Sequence, residues 1–165
     1  MMKIVLLVLC LAMTQTLSAA GEGETAPDFS LNELDSTKQH KLSDYRGKVI
    51  YLDFWASWCA PCRVSFPDII QLKQDLADQP FDVIAINVDE NPDDARRFLR
   101  RYEVPYPILQ DNQGQWAAQY QLPGMPTAFI IDQNGTIRMR HSGFRPGDMA
   151  KIREQINSLL IKEES

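Results

Sequence analysis

The chain has 165 residues, 44% of them hydrophobic and 24% charged, the composition of an ordinary soluble globular protein. Its formal net charge of −5 excludes nucleic acid as the natural partner, since phosphate binding needs a basic surface, and offers nothing to anionic lipid. The length favours one domain, large enough to bury a full core without staples.

Lys3 is the only charge before Glu22, Ile4 to Leu17 is almost wholly apolar, and Ser18-Ala19-Ala20 sets small residues before a cleavage point after Ala20. That order predicts a secretory signal peptide over residues 1–20 and an exported domain over 21–165. The apolar run falls short of the roughly 20 residues of a membrane-spanning helix, with an uncleaved anchor as the alternative. Cleavage removes Lys3 and Cys10, taking the charge to −6 and leaving Cys59 and Cys62 as the mature protein's cysteines. A lipidated Cys10 does not fit: Leu9, not a small residue, precedes it, and the position is too early.

Gly21 to Thr25 reads as a flexible start. Ala26 to Leu31 and Gln39 to Ser43 read as two short extended pieces around a polar turn, and Ser43 to Gly47 as a second turn. Lys48 to Trp55 is a near-continuous apolar run, as a strand buried on both faces requires. From Cys62 to Ala77, Phe66, Ile69, Ile70, Leu72 and Leu76 recur at helical spacing, with Pro67 expected to kink the helix. Phe81 to Val88 is a second buried strand. Asn91 caps a following helix that runs to about Tyr102, with Pro92, Asp93 and Asp94 in its first turn. Gly114 to Tyr120 suggests a short helix. Thr127 to Ile131 and Thr136 to His141 form a hairpin around Asn134-Gly135, and Pro146 to Ile161 closes the chain as an amphipathic helix. Alternating strand and helix followed by a terminal hairpin and helix implies an α/β sandwich with a mixed central sheet.

The chemistry concentrates at Cys59-Ala60-Pro61-Cys62. Thiol–disulfide exchange needs one thiolate to attack and a second thiol near enough to resolve the mixed disulfide. At a helix start, orphan amide groups and the helix dipole stabilise the thiolate, so Cys59 is the expected nucleophile and Cys62, one turn further in, the resolving thiol. Pro61 fits the first turn. Zinc would need two further ligands, and His40 and His141 stand alone without a second C-x-x-C. An inert disulfide would close too small a loop to be a useful staple. A Cys–His hydrolase would need an orienting Asn or Asp beside either histidine.

Three segments carry a family resemblance. Asp53-Phe54-Trp55-Ala56-Ser57-Trp58-Cys59-Ala60-Pro61-Cys62-Arg63 resembles the thioredoxin active-site segment. Pro67 resembles that family's helix-kinking proline, and Gly124-Met125-Pro126-Thr127 its cis-proline loop. Ala26-Pro27-Asp28-Phe29 and Leu42-Ser43-Asp44-Tyr45-Arg46-Gly47-Lys48-Val49 are similar to the exported TlpA-like and ResA-like branch. The resemblance covers residues 26–161. It implies a thioredoxin-like three-layer α/β sandwich, its mixed sheet flanked by helices, with an N-terminal β-hairpin extension. It further implies a cis Pro126 facing Cys59, Met125 beside it tuning substrate contact, and Trp58 as a surface aromatic next to the nucleophile. Asp53 would be a buried acid of raised pKa that takes the Cys62 proton through a water. In the TlpA-like branch a glutamate after the next strand holds that place, which corresponds to Glu90 here. Asp53 is the expected base, and Glu90 reads otherwise as a solvated loop or helix-cap acid.

The implied activity is an exported thiol–disulfide oxidoreductase, a reductant of protein disulfides such as those met in cytochrome c maturation or thiol maintenance. Its expected partners are disulfide-containing clients and a membrane-bound thiol reductase as electron donor, with the chain monomeric in the bacterial periplasm. No cofactor or metal is expected. A peroxiredoxin-like thiol peroxidase is the alternative, because Ala26-Pro27-Asp28-Phe29 also opens those proteins; they carry Thr or Ser three residues before the reactive cysteine, where Ala56 stands here. A non-enzymatic binding module using the cis-proline groove is the third reading, and the intact C-x-x-C speaks against it. Arg96, Arg97, Arg100 and Arg101 form either a docking patch for an acidic partner or a solvated, salt-bridged helix face. Trp55, Trp116 and Tyr120 read as packing residues.

Overall fold

A computed structural model of the chain describes residues 20–160. The predicted apolar leader, with Cys10, lies outside the described residues, as does the chain beyond Leu160.

Two short strands, β1 (Ser30–Asn32) and β2 (Gln39–Lys41), pair antiparallel as a small separate hairpin. A 3-10 turn over Leu42–Tyr45 leads into the main sheet. Strand β3 (Val49–Trp55) is followed by helix α1 (Ala60–Asp75), β4 (Phe81–Asn87) and α2 (Pro92–Leu99). Strand β5 (Ile108–Gln110), α3 (Gln115–Gln119), the hairpin β6 (Thr127–Ile131) and β7 (Ile137–Ser142), and α4 (Asp148–Leu160) complete the fold. The sheet order is β5-β4-β3-β6-β7. β3, β4 and β5 run parallel, β6 is antiparallel to β3, and β7 to β6. The α/β class, mixed sheet and N-terminal hairpin are as expected.

Alternation along β3 splits the core into two layers, because successive side chains leave a strand on opposite faces. Val49, Tyr51 and Trp55 pack with Phe66, Ile69 and Leu72 of α1, Phe98 of α2, and Ile152 and Ile156 of α4. Ile50, Leu52 and Phe54 pack with Phe29, Leu42, Tyr120 and Phe129 on the other face. Asp53 therefore emerges on the face that carries α1. The first layer is locked by aromatic contacts: the Trp55–Phe66 and Trp55–Phe98 ring centroids lie 4.9 and 5.0 Å apart. Trp55 and Tyr120 are fully buried, as packing residues should be.

Several features differ from expectation for local reasons. α1 begins at Ala60 because Cys59 is its N-cap and Pro61 lies in the first turn. Pro67 is inside this helix as predicted. α2 stops at Leu99, with one further turn closed by the Tyr102 amide donating to the Leu99 carbonyl (2.9 Å). β5 has no counterpart in the sequence reading: three residues between Pro107 and Asp111 are too few to show a period, and only pairing with Ala85–Asn87 makes them a strand. Residues 21–25 are tied down. Gly23 N donates to Ile137 O (2.8 Å) and Ile137 N to Glu24 O (2.9 Å), because the start of β7 offers an edge that pairs with any adjacent extended chain.

The β6–β7 turn is anchored by Asp132, which accepts from the amides of Asn134 (3.0 Å) and Thr136 (2.9 Å) and from Arg138 Nε (2.6 Å). Gly135 takes φ +83°, a conformation that L side chains rarely adopt, while a Cβ there would meet only the movable end of the Arg46 side chain.

Candidate active site

β3 delivers the chain to the carboxyl edge of the sheet, where α/β folds place their ligand sites. The residues after it, Ala56-Ser57-Trp58, are held by Asp89 from the end of β4. Asp89 is 2% exposed and accepts from Ser57 N (3.0 Å), Ser57 Oγ (3.0 Å) and Asn87 Nδ2 (2.8 Å), while Gln110 Nε2 donates to its backbone carbonyl (3.0 Å). The sequence reading missed Asp89, attending to its neighbour Glu90. The available signal was a short polar residue, paired with Asn87, just past the end of a buried strand.

Cys59 and Cys62 form a disulfide, with Cα atoms 5.3 Å apart. Cys59 caps α1: the Cys62 amide donates to Cys59 Sγ (3.2 Å). The two sulfurs are unequal. Cys59 is 3% exposed and Cys62 fully buried, so an attacking thiol reaches Cys59 first. The exposure is smaller than expected of a free nucleophile. The Cys62 amide and the N-terminus of α1 stand against Cys59 Sγ, a setting of the kind that favours a thiolate.

Asp53 lies at 1% exposure with no hydrogen-bond partner on either carboxylate oxygen among the described residues. Burial alone pushes its pKa up to about 7. Its charge acts on the hydroxyls of Tyr51 and Tyr106, both raised chiefly by burial. Trp55 Nε1 and Tyr106 Oη are also buried without partners. Glu90 is exposed, in the loop before Asn91, whose side chain caps α2 by accepting from Asp93 N (3.1 Å).

The Met125–Pro126 peptide bond is cis. Pro126 is buried, and Met125 packs partly against both core layers. The Pro126 carbonyl accepts from Gly143 N (2.8 Å), and Gly143 and its neighbours share a cleft of about 470 Å³ with Pro61. On the opposite side of the motif, Ser57, Trp58, Arg63, Arg97 and Arg101 line a second cleft of about 540 Å³. Trp58 is 66% exposed. A further cleft, about 720 Å³, lies away from the cysteines at the entry to β4, lined by Glu33, His40, Lys73 and Asp82 among others; it has no thiol, and His40 contacts Glu33 while Lys73 pairs with Asp82. No helix among the described residues is long and apolar enough to cross a membrane.

A sequence model of the AhpC/TSA family matches residues 23–140. The chain is 35% identical over 146 residues to the thiol-disulfide oxidoreductase ResA of Geobacillus thermodenitrificans, covering 84% of this chain and 83% of that protein. It is 38% identical over 125 residues to the thioredoxin-like protein YneN of Bacillus subtilis, covering 74% and 72%. The fold superposes with a TM-score of 0.82 on a crystal structure from Chlorobium tepidum assigned as a thiol:disulfide interchange protein DsbE, 43% identical, covering 87% of this chain and 99% of that one.

Proposed function

The chain belongs to the AhpC/TSA family, on its thioredoxin-like, ResA-like side, and we propose that it is an exported thiol–disulfide oxidoreductase that reduces client disulfides through Cys59 and Cys62. The observation that carries this reading is the Cys59–Cys62 disulfide at the start of α1, with the buried, unpartnered Asp53 on the strand face beneath that helix.

In the reduced enzyme the Cys59 thiolate attacks one sulfur of a client disulfide. The client S–S bond breaks, a Cys59–client bond forms, and the other client sulfur leaves as a thiolate that takes a proton from water. Cys62 then gives its proton to the Asp53 carboxylate through a water and attacks Cys59. The mixed disulfide breaks, the Cys59–Cys62 bond closes, and the second client thiol is released, so two electrons pass to the client. An acid with a pKa near 7 both accepts and returns a proton at neutral pH, which supports Asp53 as the base over the exposed Glu90. Trp58, Pro61, Met125 and Pro126 form the client-binding rim. A membrane-bound thiol reductase restores the dithiol, the chain acts as a monomer, and residues 1–20 direct it to the periplasm.

Cys59→Ser should abolish reduction of insulin, and retained activity would overturn the assignment. Direction is tested separately by titrating the pair against glutathione. A reductant lies toward the thioredoxin value of about −270 mV, and a value near the −120 mV of a strong oxidant would overturn that part.

A further inference from the structure

The rim of the site is charged on one side. In a chain of net charge −5, the cleft between the motif loop and α2 brings together the guanidinium groups of Arg63, Arg97 and Arg101, with Asp94 as its one acidic lining residue. The arginines of residues 96–101 divide by role. Arg96 turns toward the N-terminal hairpin, bonding Asp35 (2.7 Å), Asp93 (2.7 Å) and the Leu34 carbonyl (3.0 Å). Arg97 of α2 and Arg101, in the turn just past its end, line the cleft beside the motif. Arg97 pairs with Asp94, and Arg101 lies 5.9 Å over the Phe98 ring. Arg63, next to Cys62, donates through Nη2 to the Ser57 carbonyl (3.1 Å), which fixes a cation to the loop that carries Cys59.

A second observation marks the same place. Trp58 (66% exposed) and Val64 (48%) are the exposed large hydrophobic side chains among the described residues, and both flank the two cysteines. An apolar contact beside the disulfide, with three guanidinium groups and one aspartate behind it, leaves the cleft net positive and suits a peptide whose disulfide is flanked by carboxylates.

Building on the oxidoreductase reading above, we propose that this cleft binds an acidic segment of the client beside its disulfide. Arg97 and Arg101 select clients carrying Asp or Glu within a few residues of the reacting cysteine, and Trp58 packs on the intervening backbone.

The test uses the mature chain, reduced beforehand, and disulfide-bonded peptides of equal length whose cysteine is flanked by Asp and Glu, by Ser and Gln, or by Lys. Exposed close ion pairs predict kcat/KM about threefold to tenfold higher for the acidic than for the neutral peptide at low salt, with the ratio shrinking toward one as ionic strength reaches about 0.5 M. In Arg97→Gln/Arg101→Gln the ratio should fall to about one, and Arg97→Lys/Arg101→Lys should keep most of it, since charge rather than shape is being read. Equal rates on acidic and neutral peptides in the wild type, or a preference that survives the glutamine variant, overturns the proposal. Failure to reduce any peptide overturns the oxidoreductase reading itself, and the proposal with it.

Discussion

Replacing Asp53 by asparagine should make stability depend on pH differently in a calculable way. Asp53 moves from an ordinary 3.8 in the unfolded chain to about 7 in the fold, because burial penalises its charged form. Between those values the folded protein holds a proton that the unfolded chain has released. Wild-type stability from this group is therefore fully present below about pH 4, falls as pH rises toward 7, and is level above that. At 1.36 kcal/mol per pH unit, the span from 3.8 to 7 corresponds to about 4 kcal/mol. Asparagine cannot ionise, so the variant lacks this loss. Whatever the amide costs in that pocket, the stability difference between variant and wild type should shift by about 4 kcal/mol in the variant's favour from pH 4 to pH 8. Urea unfolding of both oxidised proteins at half-unit pH steps measures it. Other titrating groups cancel between the two chains, and the intact disulfide keeps the cysteines out of the titration. Parallel stability curves from pH 4 to 8 would refute the buried-acid assignment.

The same variant should slow closure of the Cys59–Cys62 bond in rapid-mixing experiments and remove the rise of that rate near pH 7, whereas Glu90→Gln should leave the profile in place; the opposite pattern would make Glu90 the base. Asp89→Ala strands the Ser57 amide, the Ser57 hydroxyl and the Asn87 side chain in the interior, and should lower unfolding free energy by about 2–4 kcal/mol, read from the urea midpoint. Phe66→Ala empties the centre of the Trp55–Phe98–Tyr102 ring cluster and should cost about 3–5 kcal/mol in the same assay. In a peroxide-consumption assay the reduced protein should show no turnover, since Ala56 lends no hydroxyl toward Cys59; turnover at peroxiredoxin-like rates would favour the peroxidase alternative.

The parts of the fold written most plainly in the chain are those with long single-period patterns. The apolar runs of β3 and β4, the spacing of Phe66, Ile69 and Leu72, and Asn134-Gly135 each point to one local structure. β5 was hidden because its identity comes from its neighbour β4, not from its own three residues. The pairing of residues 21–25 was hidden for a related reason: they carry no periodic apolar pattern, and the edge of β7 orders them. At the site, Cys59, Cys62 and Asp53 stand out by residue type in an otherwise apolar setting. Asp89 does not, because an aspartate after a strand is commonplace, and its value lies in the Ser57 groups that reach it across 32 residues of chain. Likewise the four arginines of residues 96–101 look alike in sequence, and only packing separates Arg96, tied to Asp35, from Arg97 and Arg101 beside the motif.

The division of labour between the two cysteines is the centre of this account, and trapping the mixed disulfide tests it most directly. Cys62→Ala, reduced and mixed with a disulfide-bonded client, should accumulate a covalent adduct that peptide mapping places on Cys59, while Cys59→Ala should form none. An adduct that accumulates on Cys62 in Cys59→Ala, with Cys62→Ala inert, would reverse the roles and contradict the mechanism.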